Sequence, residues 1–514
     1  MRELDRLATA QCGVSSLVLM ENAGRGAADI IAEELALAPR DGKRAPRVCI
    51  VCGAGNNAGD GYVVARRLAL LGADVGVFAL HPEARLRGDA LSNFRAFVAC
   101  GGMVTAVEAS TLAVLEQGLA EAALIVDAVF GTGLDRAVAG LERDAITLIN
   151  AAPASARRVA LDLPSGLDAD TGAVHGVAVR ADLTITFAGP KLGLLTPSGL
   201  VQRGQLRVAD IGVSPSWLPT ALHSAEVFEA ADIHGRLGRR AANAHKSSAG
   251  RVLVLAGSAG KVGAALLVAH GALRAGAGLV TLGALPDVRA ALDQRVLEAM
   301  TAGLDPDALE QSLAALLAAT QVVAIGPGLG FDLVTRRIVE RVVLEHEGKV
   351  VVDADAISHF AGKPGELARA RGQLILTPHP AELARLLGGS TDEVEADRFG
   401  AIERAVKATK ATVLLKGPHT LVGSEGKRPA VGRSGSPALA TGGSGDVLTG
   451  AIAALCCRLE PFDAAVCGAF LHALAGERWA KQTAADRGLL AHEIADGIPA
   501  ALAELSVTGG LLPV

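Results

Sequence analysis

Short apolar runs alternate along the chain with longer segments whose apolar residues recur at helical spacing. In the first half the strand-like runs are Arg47–Val51, Asp74–Leu80, Leu124–Val126, Arg158–Leu161 and Leu183–Phe187. Strand and helix in strict turn predict a parallel sheet with helices on both faces. The pattern lapses at Gly212-Val213-Ser214-Pro215-Ser216-Trp217-Leu218-Pro219, a stretch of turn formers without periodicity, and the reading places a domain boundary there. Alternation resumes with Arg251–Ala256, Gly278–Leu282, Val322–Ile325, Lys349–Asp353, Leu374–Leu376 and Thr412–Leu415, a second α/β unit. No short-period repeat interrupts it.

Length agrees: 514 residues exceed one ordinary core at roughly 150 residues per domain. Aromatic residues make up 3% and net charge is −5 with both signs interspersed, which argues against nucleic acid or a membrane surface as partner and for a small molecule. No apolar run reaches membrane-spanning length and the start, Met1 to Arg6, is charged and helical, so a cytoplasmic protein is expected. The seven cysteines include Cys49 and Cys52 in a strand-like run, which reads as buried thiol rather than metal ligand.

Candidate chemistry gathers after the strands. Gly53-Ala54-Gly55-Asn56-Asn57-Ala58-Gly59-Asp60-Gly61 follows the first and precedes a helical segment. It departs from the dinucleotide spacing G-x-G-x-x-G, which requires glycine at 58, and this disfavours a plain dehydrogenase. Two further strand ends carry Asp127, in Asp127-Ala128-Val129-Phe130-Gly131-Thr132-Gly133, and Asp162, in Asp162-Leu163-Pro164-Ser165-Gly166. A lone aspartate there is commonly a cap, but three such segments converge where an open parallel sheet binds ligands. In the second half Thr441-Gly442-Gly443-Ser444-Gly445-Asp446 opens a helix, joining an anion cradle to a carboxylate able to act as base. Gly257-Ser258-Ala259-Gly260, Gly326-Pro327-Gly328-Leu329-Gly330, Thr377-Pro378-His379-Pro380-Ala381-Glu382 and Lys416-Gly417-Pro418-His419-Thr420 precede it in order.

These motifs resemble those of the bifunctional NAD(P)H-hydrate repair enzymes. Residues 1–215 resemble the epimerase domain and residues 225–514 the dehydratase domain, with 216–224 as linker. The resemblance implies a Rossmann-like three-layer αβα domain followed by a ribokinase-like αβα domain. It implies that Asn56, Asn57, Ala58, Gly59, Asp60, Gly131, Thr132, Gly133, Leu134, Asp135, Arg136 and Ala137 bind the hydrate NAD(P)HX, with Asp162 at the reacting ring. A potassium ion would be held by Asn57, Asp127 and Ser165. In the second domain Ala264, Gly328, His379 and Asp446 would face the hydrate and Lys416, Gly417, Pro418, His419, Thr420 and Gly445 the co-substrate ADP, with Mg²⁺ bridging the phosphates. Asp162 and Asp446 are the expected catalytic residues, and a homo-oligomer is expected. Ala58 departs from the family's glycine. The second acid–base group of the epimerase stays open between Asp135 and Arg136. A ribokinase-type vitamin kinase with an accessory first domain, catalytic or not, is the competing reading; it would yield a stable phosphorylated product rather than free phosphate.

Overall fold

A computed structural model describes residues 2–35, 45–213, 224–433 and 435–508. The chain divides into two compact units, residues 1–224 and 225–514. Residues 214–223, which hold most of the expected break and linker, lie outside the described residues.

The first unit is built on seven parallel strands: β1 Arg47–Cys52, β2 Asp74–Ala79, β3 Val104–Ala106, β4 Leu124–Ala128, β5 Arg157–Leu161, β6 Leu183–Phe187 and β7 Gln205–Ala209. They lie in the order β3-β2-β1-β4-β5-β6-β7. Every residue of β4 and β6 is buried, as expected of strands covered on both faces. The chain reverses its direction of winding between β1 and β4, so the loops leaving these neighbours splay apart and open a crevice. Cys49 and Cys52 are buried free thiols in β1.

In the second unit β8 Glu226–Val227, β9 Arg251–Leu255, β10 Leu279–Ala284, β11 Met300–Gly303, β12 Val322–Ile325, β13 Lys349–Val352, β14 Gln373–Leu376, β15 Thr412–Leu415, β16 Leu421–Gly423 and β17 Ala430–Val431 form one sheet. The order is β11-β10-β9-β12-β13-β14-β15-β16-β17-β8, parallel as far as β15 and antiparallel across β15-β16-β17. Its winding reverses between β9 and β12. Helices Val262–Arg274, Ser444–Cys456, Pro461–Thr483 and Ala491–Thr508 pack their alanine- and glycine-rich faces together over this sheet. A Cβ on Gly450 would lie 1.9 Å from the Val268 carbonyl oxygen and one on Gly271 2.3 Å from that of Val447, so only glycine permits this approach.

Candidate functional site

The crevice of the first unit, about 520 Å³, is lined among others by Asn56, Asn57, Asp60, Gly131, Thr132, Gly133, Leu134, Arg136 and Asp162. Asp135 is absent from that lining. The helix expected after the glycine-rich segment begins within it: Asn56–Leu70 is helical with Gly55 as its cap, so Asn56 to Asp60 form its first turns. Its glycines serve close packing. A Cβ on Gly59 would meet Met20 Sδ at 2.5 Å, and one on Gly61 the Ala128 Cβ at 2.7 Å. Ala58 is fully buried within that helix.

Asn57, Asp127 and Ser165 come together below the crevice, all buried. Ser165 donates its backbone N–H to Asp127 Oδ2 at 2.8 Å and its hydroxyl to Asp127 Oδ1 at 2.5 Å. Phe130 N–H donates to Ser165 Oγ at 2.8 Å, and Asn57 Nδ2 donates to the Phe130 carbonyl at 2.9 Å. Asn57 Oδ1 is buried with no hydrogen-bond partner. Burial pushes Asp127 up to about 6 against the pull of the Ser165 and Val129 bonds. A neutral oxygen without a donor beside a carboxylate short of positive charge is the environment a hard monovalent cation satisfies.

Gly131 joins this cluster to Asp162. A Cβ there would touch Asn57 Cβ at 3.4 Å and Asp162 Oδ2 at 3.5 Å, so the glycine leaves that oxygen open toward the crevice. The other oxygen is tied down: Asp162 Oδ1 is ion-paired with Lys191 Nζ, which also donates to Thr186 Oγ1 at 2.8 Å and to the Phe187 carbonyl at 3.0 Å. Asp162 occupies the left-handed region at φ 66, held there by its backbone bond to Ile185 O. Lys191, 6% exposed, is the partner of Asp162 that motif reading missed. Its only signal is a lysine in the Gly189-Pro190-Lys191 turn just past β6, which no spacing rule marks as buried.

In the second unit Gly443, at φ 86, caps the helix Ser444–Cys456 and places Gly445 and Asp446 in its first turn. A Cβ on Gly445 would lie 3.3 Å from Lys416 Nζ. Lys416 Nζ is 2.8 Å from Asp353 Oδ1 and 3.9 Å from Glu382 Oε2, while Thr449, three residues beyond Asp446, donates its hydroxyl to Asp353 Oδ2 at 2.8 Å. Burial pulls Lys416 down, but Asp353 and Glu382 outweigh it and hold the ammonium above the ordinary lysine value. Burial raises Asp446 to about 7; Asp353 adds to this and Lys416 opposes it. A carboxyl balanced there is half ionised at neutral pH, which suits a general base. Behind the turn Ser444 Oγ meets His472 Nε2 at 3.0 Å, and burial pushes this imidazole down to about 4.

His379 caps the helix Pro380–Leu387, accepting the Ala381 and Glu382 N–H groups at Nδ1. Burial keeps it below the ordinary histidine value, and Asp353, Glu382 and Lys416 all contribute to its field. Ala264 and Gly328 are neighbours, since a Cβ on Gly328 would meet that of Ala264 at 3.2 Å. In the Lys416–Thr420 turn the buried Arg398 donates to the Lys416 carbonyl at 3.0 Å, and His419 Nδ1 is 3.0 Å from the Gly432 carbonyl. Asp353, Arg398 and His472 were not picked out by motif, because their partners are remote in sequence.

A family model described as NAD(P)H-hydrate dehydratase matches residues 252–500, and one described as YjeF-related protein N-terminus matches residues 16–193. The bifunctional NAD(P)H-hydrate repair enzyme Nnr of Moorella thermoacetica is 40% identical over 98% of this chain and 96% of its own length. The protein of the same name from Thermofilum pendens is 36% identical over 98% and 95%. A solved structure described as ADP/ATP-dependent NAD(P)H-hydrate dehydratase from Bacillus subtilis, co-crystallized with ATP/Mg²⁺, is 28% identical over 55% of this chain and 99% of that chain, with a TM-score of 0.48.

Proposed function

Because this chain belongs to the bifunctional NAD(P)H-hydrate repair enzymes, we propose that its two crevices divide one repair: the first interconverts R- and S-NAD(P)HX and the second dehydrates the S form to NAD(P)H at the expense of ADP. The observation that carries this is Asp446, a carboxyl raised to about 7 in the first turn of a glycine-capped helix beside Lys416.

In the second unit Asp446 takes the proton of the ring hydroxyl, whose oxygen attacks the β-phosphoryl group of ADP. The backbone N–H groups at the helix start and the Lys416 ammonium face the charge that develops on the transferring group. AMP departs, the ring nitrogen then expels phosphate together with the former hydroxyl oxygen, and the neighbouring ring carbon gives up a proton to the departing phosphate, which restores the nicotinamide double bond. The step turns hydroxide, a poor leaving group, into phosphate, a good one. Ala264, Gly328 and His379 are assigned to the hydrate and the Lys416–Thr420 turn with Gly445 to ADP. Mg²⁺ would accompany the ADP and offset the charge of its phosphates; among the described residues no group of three His, Cys, Asp or Glu is placed to hold a metal ion.

In the first unit the ring nitrogen of the hydrate expels the hydroxyl and water returns on the other face. Asp162 Oδ2 protonates the departing oxygen and deprotonates the returning water. Lys191, anchored on Oδ1, holds Asp162 in place as its charge partner, and the second acid–base group stays open between Asp135 and Arg136. Potassium would be held by Asn57 Oδ1, Asp127 and Ser165, where it would supply fixed positive charge under the crevice. Exchange of K⁺ for tetramethylammonium is expected to lower the thermal midpoint of the intact protein, since binding to the native state alone stabilises it by RT ln(1 + [K⁺]/Kd). Asn57→Ala should abolish the difference; equal midpoints in the two salts for the wild type would remove the site.

The test of the whole reading is recovery of reduced-nicotinamide absorbance from mixed epimers with and without ADP. Complete, ADP-dependent recovery with release of free phosphate is expected. Accumulation of a stable phosphorylated product without recovery would return the chain to the small-molecule kinases.

A further inference from the structure

We infer that Phe331, backed by His359, is the platform on which the adenine ring of the hydrated dinucleotide stacks in the second unit; the inference rests on the assignment of the hydrate to that crevice. Phe331 is 62% exposed, and among the described residues it is the sole aromatic ring in the set of exposed large apolar side chains. Such exposure forgoes the burial that stabilises the chain's other ten phenylalanines to a greater degree. The ring is nonetheless held in place. Its centroid lies 5.1 Å from that of His359 at an interplanar angle of 38°. On one side Gly330 donates its N–H to Asp355 Oδ2 at 2.9 Å and its carbonyl meets His359 Nε2 at 3.1 Å. On the other, Asp332 caps the helix Leu333–Glu340 through bonds to the Val334 and Thr335 N–H groups. A ring seated against His359 on a backbone fixed from both flanks is a stacking surface that loses less entropy than a free side chain when a base settles on it.

Its location identifies the base. Phe331 ends the loop leaving β12, and the loop leaving β9 is bonded to it, with Ser258 Oγ donating to the Gly328 carbonyl at 2.8 Å and Gly257 N–H to that of Pro327 at 2.8 Å. These two loops flank the reversal of winding, where open α/β sheets take their ligands. Gly328, three residues earlier, faces Ala264 on the side assigned to the hydrate. The ADP turn after β15 is three strands away, roughly 14 Å at the usual strand spacing. Asp353 ties the platform into the site: it pairs with Lys416 and immediately precedes the short helix Ala354–Ser358, which carries Asp355 and ends at His359. The hydrated ring is no longer aromatic, so the adenine is the part of the hydrate that gains from stacking, by an amount that weakens binding about tenfold when lost.

The experiment compares Phe331→Ala and Phe331→Trp with wild type on two substrates, S-NADHX and the hydrate of reduced nicotinamide mononucleotide, which lacks the adenylate half. Phe331→Ala is expected to raise KM for S-NADHX roughly tenfold, leave KM for the mononucleotide hydrate and for ADP unchanged, and be rescued by Phe331→Trp. A rise in KM for ADP, equal effects on both hydrates, or no change with S-NADHX would overturn the platform while the dehydratase reading stands. A wild type that dehydrates neither hydrate overturns that reading, and the platform with it.

Discussion

Asp446→Asn is expected to cut ADP-dependent recovery of NAD(P)H by a factor of roughly 100 to 10,000, the usual worth of a positioned general base, and to leave epimerisation at the wild-type rate. The wild-type rate should rise about tenfold per pH unit up to about 7 and level off above it, because only the ionised carboxylate accepts the hydroxyl proton. The same substitution should stabilise the protein in alkaline solution. In the unfolded chain this aspartate titrates near 3.8 and in the folded chain near 7, so between those values the folded form keeps a proton that the unfolded form has released. Stability therefore falls as pH rises through that interval, and above 7 the burial of the charge costs on the order of 4 kcal/mol. Asparagine removes the charge without changing shape, so the thermal midpoint should rise at pH 8 and not at pH 4. Retained dehydration, or a midpoint that moves equally at both pH values, would remove Asp446 from the role of buried base.

The second-unit site was legible because its motifs are contiguous. Thr441 to Asp446 contains in one stretch the left-handed cap, the helix start and the base, so a linear reading suffices. What made Asp446 a base was not legible: its raised pKa depends on Asp353, ninety-three residues earlier, and on burial that only packing creates. Fully buried strands such as β4 and β6 announce themselves as apolar runs, whereas β3, β8, β16 and β17 are too short for any period to show, and β7 is an edge strand with exposed positions. The helix start at Asn56 escapes a linear reading because glycines that elsewhere permit a turn here permit Met20 and β4 to approach.

That difference also decides how the first-unit site should be tested. Asp162→Asn is expected to lower epimerisation by roughly 100- to 10,000-fold. On mixed epimers with ADP, recovery should then stop near the S fraction, while pure S hydrate is still repaired completely, an internal control that the second unit is intact. Asparagine is the right replacement because it tolerates the left-handed backbone at φ 66, which alanine or valine would strain. Even so, it leaves Lys191 buried without its anion, sharing only Thr186 Oγ1 and the Phe187 carbonyl, and an unpaired buried ammonium destabilises by about 3 to 5 kcal/mol. Loss of rate in the single variant would thus mix chemistry with folding. The double variant Asp162→Asn, Lys191→Met separates them: removing both charges should recover the thermal midpoint and leave epimerisation as low as before. If the rate returned along with the midpoint, the Asp162–Lys191 pair would be a structural ion pair and the proton transfer would have to be sought elsewhere along the crevice.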